Sequence, residues 1–152
     1  MALTLDEKGV IVACPQCRRA NRIAFGRVNA ATRCAQCKTE LPGVDAPAEV
    51  RSVAQFDALM SQSAVPVLVD FWAAWCGPCR MVAPEVEKVA RALRGRMLAV
   101  KVNTEELPQL AAEFNVRSIP LLAVFRDGHL VEQAAGAMPA ASIQQLVERA
   151  LR

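Results

Sequence analysis

Every cysteine in this sequence belongs to a Cys-x-x-Cys pair: Cys14 with Cys17, Cys34 with Cys37, and Cys76 with Cys79. So regular an arrangement restricts the chain to a few designs. A disulfide-stapled miniprotein is one, but it belongs with an export signal. Met1 to Val12 carry Asp6, Glu7 and Lys8 ahead of a short apolar patch, in place of a basic start and a continuous apolar run. The pairs are therefore read as metal ligands or redox dithiols, and the residues around each pair decide between them.

The first two pairs, Cys14-Pro-Gln-Cys17 and Cys34-Ala-Gln-Cys37, stand sixteen residues apart. That is four-cysteine zinc spacing. A two-residue gap lets one tight knuckle turn both sulfurs toward a single ion, and two knuckles complete the tetrahedron that zinc prefers. The segment between them, Arg18 to Arg33, alternates loosely around Ile23, Phe25 and Val28, which predicts a short hairpin joining the knuckles. With so few apolar side chains, most of the folding free energy of this unit is expected to come from metal binding. One structural zinc held by Cys14, Cys17, Cys34 and Cys37 is the expectation. Two local redox dithiols, or an iron site, are the alternatives left open.

The third pair has another setting. From Val65 the chain runs Val-Pro-Val-Leu-Val-Asp-Phe-Trp-Ala-Ala-Trp before Cys76, an apolar stretch that suits a strand buried on both faces. A helix follows, with Met81, Val82, Val86, Val89, Ala90 and Leu93 as its apolar face and Gly95 as its stop. Cys76 thus falls where a buried strand meets a helix N-terminus. There, unpaired N–H groups and the helix dipole favour a thiolate. Cys76 is expected at the exposed lip as nucleophile, and Cys79, one turn further in, as the resolving thiol. Gly77 allows a partner chain to approach closely, and Pro78 presets a helical dihedral where an N–H is dispensable.

Asp70 interrupts this strand, and a carboxylate there is costly unless paired, hydrated or neutral. It reads either as a satisfied structural acid or as the proton acceptor for Cys79, with a pKa raised by burial. Lys101, in the later strand Met97–Val102, is expected to place its ammonium near that carboxylate and moderate the shift.

At 152 residues and 53% hydrophobic content, the chain has material for one ordinary domain and a small appendage. Residues 1–45 hold seven basic against four acidic side chains, an excess equal to the whole net charge of +3. Such a cluster attracts nucleic acid or acidic proteins, or is a solvated face. Nucleic acid is not expected as a partner, because Phe25 alone is available for stacking. No apolar run approaches the roughly 20 residues of a membrane span, so no membrane is expected and the location expected is the cytoplasm.

Leu41 to Ala48, with Pro42, Gly43 and Pro47, lacks periodicity and reads as a linker. The expected division is a zinc-binding ribbon at 1–42, a linker at 43–49 and a second domain at 50–152. In that domain a strand near Val50–Val53 precedes a helix around Phe56–Met60, the buried strand and the cysteine helix. Then come the strand Met97–Val102, a helix Pro108–Phe114, strands Leu121–Phe125 and Leu130–Ala134 joined at Asp127-Gly128, and a last helix Ala140–Leu151. Alternating strands and helices ending in a hairpin predict an α/β fold, a mixed sheet with helices on both faces.

Trp75-Cys76-Gly77-Pro78-Cys79 resembles the active-site motif of the thioredoxin family. The likeness extends from about Val50 to Leu151 through Asp70-Phe71-Trp72-Ala73, Pro84, Lys101, Ile119-Pro120, Gly128 and Gly136. With the four-cysteine N-terminus, the whole chain resembles the zinc-containing bacterial branch of that family. The resemblance implies a thioredoxin fold, a cis Pro120 beside the active-site disulfide, and an Ile119 backbone that pairs with an extended peptide. It implies a substrate surface of Trp75, Gly77, Pro78, Ile119, Pro120, Gly136 and Ala137, and proton-transfer roles for Asp70 and Lys101. It further implies a monomeric protein disulfide reductase acting on client proteins and recycled by thioredoxin reductase, with NADPH used by the reductase and no organic cofactor bound to this chain. Leu121 departs from the Thr common after the cis proline. His129 reads as a surface residue, and Trp72 as a packing partner of the active-site turn. Competing readings are a disulfide isomerase, a zinc-ribbon adaptor, and a redox sensor that loses zinc on oxidation.

Overall fold

The computed structural model describes residues 2–151, so that Met1 and Arg152, the outer limits of the two expected units, lie outside the described residues. Near the N-terminus, β1 (Thr4–Leu5), β2 (Gly9–Ala13) and β3 (Ala20–Ala24) form an antiparallel sheet, followed by a 3-10 turn at Phe25–Arg27. The main unit contains β4 (Ala48–Val50), α1 (Val53–Gln62), β5 (Val67–Trp72), α2 (Gly77–Ala92) and β6 (Leu98–Asn103). It continues through α3 (Pro108–Glu113), β7 (Leu121–Arg126), β8 (His129–Ala135) and α4 (Ala140–Leu151). Its five strands lie in the order β4-β6-β5-β7-β8, the first three parallel and the last two antiparallel. This is the mixed α/β sheet expected.

The order follows from burial. β5 is apolar except at Asp70 and occupies the centre, where both faces are covered. Val67, Val69 and Phe71 point into a core with Phe56, Leu59 and Phe125, whereas Leu68 on the opposite face joins Val82, Val86 and Val89 of α2 and Ile143, Leu146 and Val147 of α4. Strand alternation thus places Asp70 on the α2 side. At the far edge, Asp127 and Gly128 take φ values of 51° and 79°, the left-handed pair that a two-residue hairpin turn requires.

Two local expectations shift. The first strand of the main sheet runs Ala48–Val50 and not Val50–Val53, so residues 48 and 49 of the expected linker are sheet. Ser52 is the reason: its Oγ accepts the Gln55 N–H at 3.1 Å and starts α1 at Val53. The knuckles are also joined differently. No hairpin forms within Arg18 to Arg33; instead β3 turns back on β2 across the first knuckle, and the residues before Cys14 supply the other strand. Gly9 belongs to this pairing by necessity, since a Cβ there would meet Ile23 O at 2.2 Å.

Nor does the N-terminal sheet depend on metal for all its packing. Leu5, Val10, Val12, Ile23, Phe25 and Val28 are buried in the same core as Phe56 and Leu59. Burying Phe25 alone contributes on the order of 2–3 kcal/mol. Backbone bonds from Leu3 N–H to Pro47 O (2.7 Å) and from Glu49 N–H to Leu3 O (2.8 Å) tie the N-terminal segment to β4.

Candidate active site and metal centre

The chain leaves β5 at Trp72, crosses Ala73 to Trp75 and enters α2 with Cys76 as N-cap. Its Sγ accepts the Cys79 N–H at 3.1 Å, so a sulfur occupies the place where a capping side-chain oxygen normally satisfies an orphan donor. Cys76 and Cys79 are joined as a disulfide, with Cα atoms 5.2 Å apart. The expected exposed lip is not found: Cys76 is 3% exposed and Cys79 4%. What distinguishes the sulfurs is the surroundings. Trp75, Gly77 and Pro78 around Cys76 are exposed, whereas Cys79 belongs to the buried face of α2.

The rim is completed from β7 and β8. The Ile119-Pro120 bond is cis, and Ile119 O lies 3.8 Å from Cys76 Sγ. Gly136, at φ 93°, donates its N–H to Pro120 O at 2.9 Å, which places the end of β8 beside the proline. Ala137 follows, exposed. Trp75 is 67% exposed, and its indole N–H bonds to Glu105. Sequence periodicity assigned Met81 to the buried face of α2, but it is 69% exposed, one turn beyond Pro78. It lies to one side of the stripe of Cys79, Val82, Val86 and Val89 that α2 buries. Leu121, after the proline, is buried at the start of β7, and His129 is exposed as expected.

Asp70 is 1% exposed, and neither carboxyl oxygen has a hydrogen-bond partner. Burial pushes the group up to about 7, opposed by the Lys101 ammonium and assisted by the Glu49 charge. The side chain borders a cavity of about 100 Å³ that Ala83 and Val86 of α2 also line, with room for more than one water molecule. Ala83 lies one helical turn beyond Cys79 on the same helix, so one wall of the cavity is a turn away from the dithiol. Lys101 borders it as well and is the register partner of Asp70, but its Nζ sits 4.5 Å from the Trp72 ring centroid. No ion pair joins it to Asp70 among the described residues. The stacked position uses the indole face as counter-charge.

The other four cysteines converge. Their sulfurs all lie within 4.8 Å of one another, with Cys14 to Cys37 at 3.6 Å and Cys17 to Cys34 at 3.5 Å. A tetrahedral zinc with bonds of about 2.3 Å needs edges of about 3.8 Å, so the set fits such an ion. Both knuckles use the same backbone device. Arg18 (φ 67°) and Lys38 (φ 64°) are left-handed, and their N–H groups return to Cys14 O (2.9 Å) and Cys34 O (3.0 Å). The Cys37 and Gln36 N–H groups and the Asn21 amide favour the Cys34 thiolate against burial, bringing it down to about 6. The Arg19 N–H favours the Cys17 thiolate, but burial and three neighbouring thiols outweigh it and push Cys17 up to about 11. Four sulfurs this close together could hold a metal ion.

Asn21 was not singled out from the sequence. Its Nδ2 donates to Arg19 O (3.0 Å) and Cys34 Sγ (3.5 Å), and its Oδ1 accepts the Ala35 N–H at 3.0 Å, linking one knuckle to the other. A polar residue at an inward position between Ala20 and Ile23 was the available signal.

The thioredoxin family model matches residues 47–149. The chain is 52% identical over 89 residues to thioredoxin 1 of Nostoc sp., covering 59% of this chain and 83% of that protein. It is 41% identical over 139 residues to the chloroplastic M-type thioredoxin of Chlamydomonas reinhardtii, covering 91% of this chain and 94% of that one. A solved mutant thioredoxin from Halobacterium salinarum superposes with a TM-score of 0.64 at 34% identity, over 69% of this chain and 90% of that one. The residues that the family model matches span the five-stranded sheet and its dithiol, and the chain belongs to the thioredoxin family of disulfide oxidoreductases.

Proposed function

We propose that this thioredoxin is a cytoplasmic protein disulfide reductase of the zinc-containing bacterial type, thioredoxin 2, recycled by an NADPH-dependent thioredoxin reductase. The observation that carries the reading is the Cys76 sulfur capping α2, accepting the Cys79 N–H at 3.1 Å.

In the reduced protein, the Cys76 thiolate attacks one sulfur of a client disulfide. A Cys76–client bond forms and a client thiolate leaves. Cys79 then gives its proton to Asp70 and attacks Cys76 Sγ; the second client thiolate leaves, and the Cys76–Cys79 disulfide holds the two electrons' worth of oxidation. The reductase returns two electrons and restores both thiols. Asp70 suits the task because a carboxyl near 7 both accepts and returns a proton at neutral pH. Lys101 moderates it. Trp75, Gly77, Pro78, Ile119, Pro120, Gly136 and Ala137 form the client surface, with the Ile119 backbone pairing an extended peptide.

Cys14, Cys17, Cys34 and Cys37 hold one zinc, which when bound fastens the two knuckles of the 1–42 unit and takes no part in electron transfer. Reduction of insulin by the chain, NADPH and thioredoxin reductase tests the proposal. Wild type turns over and Cys76→Ser does not; equal inactivity of both removes the reductase reading.

A further inference from the structure

Asp70 is not the only acid held within the sheet. Glu49 on β4 is 9% exposed and is the register partner of Lys101 on β6, which is in turn the partner of Asp70 on β5. Side chains at matched positions of adjacent strands share a face. Glu49, Lys101 and Asp70 therefore form a row across three strands, one cation between two carboxylates.

Two recesses back onto this row, and Lys101 borders both. One is the cavity of about 100 Å³ beside Asp70, with Glu87 of α2 also on its wall. The other, about 340 Å³, is lined by Glu49 and Trp72, with Arg51 and Glu106 the remaining charged groups. Burial raises Glu49 above the ordinary carboxylate range, against Lys101, Arg51 and the Trp72 indole, and with Glu106. The Trp72 Nε1–H is buried without a formed hydrogen bond, so its influence on Glu49 is that of a nearby dipole.

We propose that Glu49 is a positioning residue of the dithiol reaction: it competes with Asp70 for the Lys101 ammonium and so governs how readily Asp70 takes the Cys79 proton. This rests on the reading of Asp70 as acceptor of that proton. Two strand spacings separate Glu49 from Asp70 by about 10 Å, a distance at which a unit charge in a protein moves a neighbour's midpoint by about one pH unit. A negative Glu49 disfavours a second negative charge in the row and draws the ammonium away from Asp70. Both effects hold Asp70 protonated to higher pH.

Carbon-13 NMR of the aspartate carboxyls reads the coupling directly. It is titrated in the oxidised protein, where Cys76 and Cys79 carry no ionisable thiol, and the Asp70 signal is identified by its loss in Asp70→Asn. Glu49→Gln is expected to lower the Asp70 midpoint by about 0.5–1 unit and to move the pH profile of client reduction down with it. Glu49→Asp keeps the charge and restores most of the wild-type midpoint. Lys101→Met raises the midpoint, and Glu49→Gln has a smaller effect in that background because the shared cation is gone. An Asp70 midpoint unmoved by Glu49→Gln, in a protein that melts like wild type, overturns the inference. So does the absence of a rise in Lys101→Met, which leaves β4 untouched should Glu49→Gln fail to fold. A midpoint that moves while the rate profile stays fixed overturns instead the role of Asp70 in the reaction, and with it that of Glu49.

Discussion

Asp70 and Lys101 are register partners on adjacent parallel strands, yet the lysine ammonium rests over Trp72 and neither Asp70 oxygen has a hydrogen-bond partner. The carboxyl is thereby placed where its neutral form is favoured until about pH 7. Function and stability both inherit this placement.

For stability, an acid titrating near 4 when unfolded and near 7 when folded binds more protons in the folded state throughout that window. Its contribution therefore turns against folding as pH rises from 4 to 7, and above 7 the cost approaches about 4 kcal/mol. Asp70→Asn is expected to raise stability by about 2–4 kcal/mol at pH 8 and to have little effect at pH 4. Denaturant unfolding at the two pH values checks this, and an equal effect at both contradicts it.

For the reaction, the same carboxyl is expected to make resolution by Cys79 rise with pH through about 7. Asp70→Asn removes that limb and slows turnover at pH 7 by about 10- to 100-fold. Stopped-flow release of a client thiol across pH 5–9 measures it, and an unchanged profile in Asp70→Asn assigns the proton elsewhere.

Metal removal should loosen one end of the molecule and spare the other. Phe25, Ile23 and Val10 remain packed in the shared core without the ion. Chelation, or Cys34→Ser, is therefore expected to abolish binding of one zinc per chain and lower the melting temperature, while Cys76 and Cys79 still reduce a small disulfide. Elemental analysis, thermal melts and reduction of a small disulfide reagent check the three parts, and full unfolding on chelation contradicts the shared core.

Asn21→Ala leaves the Ala35 N–H without its acceptor and removes the buried amide donor to Cys34. A loss of about 1–3 kcal/mol in stability and of about 10- to 100-fold in zinc affinity is expected. Competition with a chromophoric chelator reads the affinity, and wild-type binding would reduce Asn21 to a bystander.

The dithiol was legible because its signals are local: an apolar strand, two cysteines and a helix stripe lie within one stretch of chain, and the buried Asp70 announces itself as a charge among Val69 and Phe71. The knuckles were legible for the same reason. What could not be read depends on which distant strands become neighbours. Glu49 gains meaning only once β4 lies beside β6, and the hairpin moved because β2, an unremarkable apolar patch in sequence, pairs with β3. Met81 is apolar yet lies off the stripe of Cys79, Val82, Val86 and Val89 that α2 buries. The burial of Cys76 is not legible locally because the Ile119 carbonyl that lies against its sulfur comes from far along the chain.

The division of labour between the two sulfurs is tested most directly by trapping. Cys79→Ser, reduced and mixed with a disulfide client, should accumulate a mixed disulfide that peptide mass spectrometry locates at Cys76, while Cys76→Ser under the same conditions accumulates none at Cys79. An adduct on Cys79 as abundant as that on Cys76, or none on either, would contradict the account.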